Sequence, residues 1–135
     1  MALHDAPNRT PPRSFRTAAS LVFSAPSGKG TAVNGPVDFG AVFERLARER
    51  QREETVNLGG VAVRMVRVAG GGEGRWDSHG HSTEIVVVWS GDFMVEFRDY
   101  ALTLAAGQSC VVPVDAEHRG TSRNGAEVVL FQQLG

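Results

Sequence analysis

Residues 71–91 read GGEGRWDSHGHSTEIVVVWSG, and the fold turns on this stretch. Its second half, Glu84–Trp89, is β-branched and nearly all apolar, the pattern of a central strand covered on both faces. Ser90-Gly91-Asp92 then reads as a hairpin turn. In the first half, Asp77, His79 and His81 occupy alternate positions. On a strand such positions share one face, about 6–7 Å apart along the chain. A row of metal-ligating side chains thus leads into a buried strand that Glu84 opens.

Working outward, the texture stays β. Phe93, Val95 and Phe97 alternate with Met94, Glu96 and Arg98, a half-buried strand. Asp99-Tyr100 is a turn, Leu102 and Leu104 alternate again, Ala106-Gly107 turns, and Ser109–Val112 is another short strand. Residues 113–124 are loop-rich, and Glu127–Gln132 closes the chain as a strand. Upstream, Val61–Val68 alternates branched apolar residues with Arg64 and Arg67. Gly70, Gly71, Gly72 and Gly74 break the chain without forming a phosphate loop, since no Gly-Lys-Ser/Thr and no helix follow. About seven or eight strands at short, regular spacing predict an antiparallel sandwich or barrel, not βαβ units.

One helix precedes the strands, over about residues 38–51. Asp38 is positioned to cap it, and Phe39, Val42, Phe43 and Leu46 fall at i, i+3, i+4 and i+7. Glu44 and Arg48 are spaced for an i,i+4 ion pair. Residues 1–36 hold four basic residues against Asp5 alone, with five prolines and few large apolar groups. They read as an extended or disordered arm, leaving residues 37–135 as the folded domain. Arginines before Ala18–Ala25 give only a broken export signal, so the expected location is cytoplasmic.

Composition narrows the function. Of 135 residues, 41% are hydrophobic and 21% charged, ordinary globular usage. The net charge of −1 speaks against broad binding to nucleic acid or to a membrane surface. No apolar run approaches the roughly 20 residues of a membrane span. Cys110 is the single cysteine, so neither an internal disulfide nor a multi-cysteine zinc site is available, and it reads as a small buried hydrophobe.

The chemistry lies with the histidines of the β region. His118, in the loop after Pro113, can reach the interior that receives Asp77, His79, His81 and Glu84. Imidazoles and carboxylates converging inside a small barrel make a metal site. Trp89 reads as core or dimer contact. Arg64 and Arg75 read as surface arginines, the other reading being contact with an anionic substrate.

The spacing resembles the cupin superfamily. Its first motif, G(X)5HXH(X)3–4E(X)6G, is matched by Gly71, Asp77, His79, Glu84 and Gly91, with an aspartate at the first histidine. Its second, G(X)5PXG(X)2H(X)3N, is matched by Gly107, Pro113 and His118, with Asp115 for the glycine and Ser122 for the asparagine. Fifteen residues separate Gly91 from Gly107, the short gap of small bacterial cupins. Trp76-Asp77-Ser78-His79 followed by Glu84 resembles the W-H-x-H-x4-E group with one ligand exchanged. A competing register using His79 and His81 places Glu84 too close and lacks the upstream glycine.

The resemblance implies a single jelly-roll β-barrel with one N-terminal helix. It implies one divalent first-row metal ion, manganese, iron, nickel or zinc, on Asp77, His79, Glu84 and His118. His81 then sits at the rim. If the chain is an enzyme, oxygenase or isomerase chemistry on a small polar molecule fits, with Glu84 as the catalytic proton carrier. The alternative is a non-catalytic, metal-free ligand-binding or sensory barrel in which His79 and His118 are pocket hydrogen-bonders. A homodimer is expected, because strand edges and an apolar helix stripe call for cover.

Overall fold

The computed structural model describes residues 30–134. The expected arm therefore lies outside the described residues except at its end, where β1 (Thr31–Ala32) pairs in parallel with β2 (Glu53–Leu58). Then come α1 (Phe39–Arg48), β3 (Val61–Val68), β4 (Glu84–Phe97), β5 (Ala101–Ala105), β6 (Ser109–Val112), β7 (His118–Thr121) and β8 (Ala126–Gln133).

The helix forms where the apolar spacing predicts it. Asp38 Oδ1 accepts from the Ala41 amide at 3.1 Å, relieving one of the unpaired N–H groups of the first turn. The helix stops at Arg48, short of the expected Gln51, because Arg50 turns left-handed at φ 59°. The expected Glu44–Arg48 pair is not formed. Arg45 instead pairs with Glu54 on β2 and, at 3.8 Å, with Glu49. Phe43 and Leu46 are buried against Val56, Val63, Met65 and Val129, so α1 covers the outer face of β2, β3 and β8. Trp89 joins this layer, edge-on to Phe39 at 5.8 Å.

β4 organises the sheet. Its first half lies between β8 and β6, its second half between β5 and β7. The expected hairpin at Ser90-Gly91-Asp92 does not exist: Glu84–Phe97 is one strand of 14 residues. The register against β8 slips between Val88 and Ser90, leaving Trp89 as the extra residue of a bulge. Gly91 follows at φ 81°, so the chain bends from one ladder into the other without reversing. Among the described residues the hydrogen-bonded path runs β1-β2-β3-β8-β4-β5 and is not closed, with β6 and β7 also paired to β4. The two ladders nevertheless share one apolar interior of Val66, Val86, Val88, Phe93, Val95 and Leu130.

A second correction concerns residues 69–83. Asp77, His79 and His81 are not on a strand; this connection carries only two isolated bridges, Gly70–Ser122 and Asp77–His118. Gly70, Gly71, Gly72, Gly74 and Gly80 lower its strand propensity too far for a ladder. Conversely, part of the expected loop at 113–124 is strand β7.

Candidate metal centre

Each of three side chains is delivered by a different device. Glu84 is the first residue of β4 and is gripped from both sides, by Gln132 on β8 and Val112 on β6. Alternation along β4 sends it inward with Val86 and Val88. His118 opens β7 opposite Phe97, and its backbone N–H and C=O bond Asp77 at 3.0 and 2.9 Å. His79 has no ladder; its carbonyl accepts from the Asp115 amide at 2.7 Å. Asp115 itself adopts φ 64°, which explains why the cupin pattern has glycine at this position and why a short aspartate is tolerated there.

His79, Glu84 and His118 each offer one ligand atom, all within 4.8 Å of one another, and all three residues are buried. His79 Nε2 stands 3.7 Å from Glu84 Oε1, longer than a hydrogen bond. The histidine rings are 5.3 Å apart between centroids. Donors around one ion at about 2.1 Å stand about 3–3.5 Å from each other, so small side-chain movements close the set.

The electrostatics differ between the two imidazoles, and only the neutral form can ligate an ion. The contact with the Glu84 carboxylate outweighs burial and raises the pKa of His79 above the ordinary imidazole range. Burial lowers that of His118, keeping it neutral. His118 Nδ1 lies 2.7 Å from the Ala116 carbonyl, which can only accept, so Nδ1 carries the proton and Nε2 presents its lone pair. His79 Nε2 and both oxygens of Glu84 are buried without a hydrogen-bond partner among the described residues. Such groups are costly to bury unless something not of protein origin satisfies them.

Asp77 stands beside this set, not in it. It is half-buried, and its Oδ1 accepts from the Ser78 amide at 2.8 Å. Its charge still favours the imidazolium forms of both histidines. His81 is exposed and outside the set. Ser122, at the asparagine position of the second motif, donates to the Asp92 carbonyl at 2.6 Å and pins β4 to the loop after β7.

Two further polar residues lie in the interior, of which Gln132 was not singled out and Arg64 carried contact with an anionic substrate only as its second reading. Arg64, expected at the surface, is 5% exposed, and Gln132 is 7% exposed. Alternation would have put both on the inner face; it could not show that the outer face of β3 is covered by α1. Arg67 is also buried and donates to the Gln51 carbonyl on the helix side. Arg75 is exposed, and Cys110 packs at the edge of the interior core.

The Cupin domain family matches residues 64–131, half of the chain, and the chain belongs to this family. Among solved structures, a cupin-2 domain containing protein from Shewanella frigidimarina is 23% identical with a TM-score of 0.64, over 72% of this chain and 93% of that one. A protein from Neisseria meningitidis is 26% identical with a TM-score of 0.63, over 73% and 99%. FeII HppE in complex with substrate shares the fold at 14% identity and a TM-score of 0.53, over 59% and 52%. No curated protein matches. Among the described residues no helix is long and apolar enough to cross a membrane.

Proposed function

We propose that His79, Glu84 and His118 hold one first-row divalent ion, manganese, iron, nickel or zinc, and that the chain binds or transforms a small polar molecule there. The carrying observation is the buried Glu84 carboxylate and His79 Nε2, which have no hydrogen-bond partner among the described residues. Two imidazoles and a carboxylate suit these ions and leave coordination positions open. Ferrous iron and a substrate in HppE, a fold neighbour, keep iron in the set. We read the two ladders around the shared core as the walls of a jelly roll, with the site between them.

A bound ion would polarise a substrate oxygen. The chain's own part begins with His118, whose Nδ1–H is tied to the Ala116 carbonyl, so the ring cannot turn away. Glu84 has two carboxylate oxygens; one would hold the ion, and the other would take or return a proton in oxygenase or isomerase chemistry. Asp77 orients the site through its backbone bridge to His118.

Calorimetric zinc titration of two variants tests the ligand assignment. His81→Ala should leave affinity unchanged, because the residue is exposed. Asp77→His should raise it, since imidazole reaches further than the short carboxylate and suits these ions better. A loss of about tenfold or more in His81→Ala would move coordination to that residue.

Assembly and location follow the same reading: a cytoplasmic homodimer. Ile85 and Val111 are paired across β4 and β6 on the outer sheet face and are 43% and 54% exposed. Beyond the reach of α1, this apolar pair is suited to a second copy. Light scattering at tens of micromolar should give a dimer mass, and Val111→Glu a monomer. A monomeric wild type sinks the inference.

A further inference from the structure

Arg64 has a place in the interior that metal binding does not account for. Alternation on β3 puts it on the face of Val66 and Val68, both interior core residues. On that face Gln132 lies opposite Ala62, and Glu84 lies opposite Gln132. The three polar side chains thus form a diagonal across β3, β8 and β4. Two inter-strand spacings and a two-residue step along the strand, about 12 Å, separate the backbones of Arg64 and Glu84, and their long side chains share one face. Ala62 contributes only a methyl group to this face.

The bonds of the diagonal are unequal. Arg64 donates from Nε to Glu53 Oε2 at 3.3 Å and from Nη2 to both Glu53 oxygens at 3.1 and 3.2 Å. Yet the Arg64 side chain is 6% exposed and that of Glu53 is 32% exposed. The guanidinium is fixed inside, while its carboxylate partner stands at the edge and can turn to water. A guanidinium fork donates to any planar carboxylate, so an incoming one can exchange with Glu53. Gln132 Oε1 is buried and accepts no hydrogen bond among the described residues, which calls for a donor such as a hydroxyl.

We propose that Arg64 and Gln132 recognise a small hydroxycarboxylate, whose carboxylate replaces Glu53 on the guanidinium and whose hydroxyl donates to Gln132 Oε1. This deepens the metal reading and rests on it for one point only, which end of the ligand faces Glu84. The contact with Arg64 forms with or without an ion. Glu53 is then an internal competitor, so its removal and the removal of Arg64 act in opposite directions. A purely structural ion pair has no such signature.

The test is calorimetric titration of glycolate, lactate, malate and citrate, with neutral malamide as control, into zinc-loaded and metal-free protein. Arg64→Gln should weaken malate binding about tenfold or more, the effect of losing a charge-assisted hydrogen-bonded pair. Glu53→Gln should tighten it. Malamide should show neither response, and zinc affinity should not fall in either variant. If zinc fails to bind the wild type, the metal reading falls while the metal-free titrations still decide this one. The proposal is overturned if none of the acids binds at millimolar concentration, if Arg64→Gln leaves malate affinity unchanged, or if malamide matches malate. Should Arg64→Gln not fold, Glu53→Gln decides alone: tighter malate binding supports the proposal, and unchanged or weaker binding overturns it.

Discussion

His79→Ala and His118→Ala should each abolish stoichiometric metal binding. Each removes one of three buried donors, and two donors hold a first-row ion far more weakly than three; even changes beside a ligand weaken binding about 10–100-fold. The loss is also readable as stability. An ion present at a hundred times its dissociation constant stabilises the folded state by about 2.7 kcal/mol. Wild-type protein should therefore melt higher with zinc or manganese, and the two alanine variants should not respond. Glu84→Gln adds a separation of effects. It keeps the side-chain volume but removes a charge buried without a hydrogen-bond partner among the described residues. The metal-free variant should melt no lower than wild type while losing the metal response. A variant that unfolds outright would instead make Glu84 a structural residue.

Gly91→Ala should be the most damaging single methyl in the chain. Gly91 sits at φ 81°, and a Cβ there would lie 2.2 Å from the Gly125 carbonyl oxygen and 2.9 Å from Ala126 Cα. The left-handed backbone alone costs about 1 kcal/mol for a residue with a side chain. The overlap is with backbone of the neighbouring strand, so relief requires parting β4 from β8 at the bend; forced overpacking adds about 1–3 kcal/mol or more. A combined loss of about 3 kcal/mol or more is a large share of the 5–15 kcal/mol that holds a typical domain together. Gly107→Ala is the control. Gly107 has φ 88° but nothing within 4 Å of its would-be Cβ, so only the backbone cost applies. Equal losses in urea unfolding of the two variants would contradict the role given to the bend.

The same bend shows what a sequence can and cannot convey. Ser90-Gly91-Asp92 carries the residues of a tight turn, and Gly91 does take a positive φ. A bulge and a chain reversal both use such a glycine; they differ in whether the following strand pairs with the preceding one. Here the second half of β4 pairs instead with β5, across the short turn at 98–100, and with β7, which is remote in sequence. Val61–Val68 and Ser109–Val112 were legible to the residue, because alternation ends sharply at glycine or proline on their flanks. β7 was not. Its residues, His-Arg-Gly-Thr, have no apolar alternation, and it is a strand only because the end of β4 lies beside it.

At the site, the match to the cupin motifs singled out His79, Glu84 and His118, the three that the structure brings together. It did so because motif spacing encodes loop lengths between strands that must return to one interior. It also pointed to Asp77, whose carboxylate bonds the next amide in the chain instead. A motif position places a backbone; the shorter aspartate side chain then finds the nearest donor. Arg64 was misread for the opposite reason. An arginine on an alternating strand is exposed only if that face meets water, and β3 is covered on both faces.

Elemental analysis of protein purified without chelator, together with its His79→Ala/His118→Ala double variant, tests the central claim most directly. Wild-type protein should carry close to one first-row divalent ion per chain, and the double variant none. No binding by the wild type on titration with zinc, manganese, iron or nickel, or undiminished occupancy after both imidazoles are removed, would contradict it.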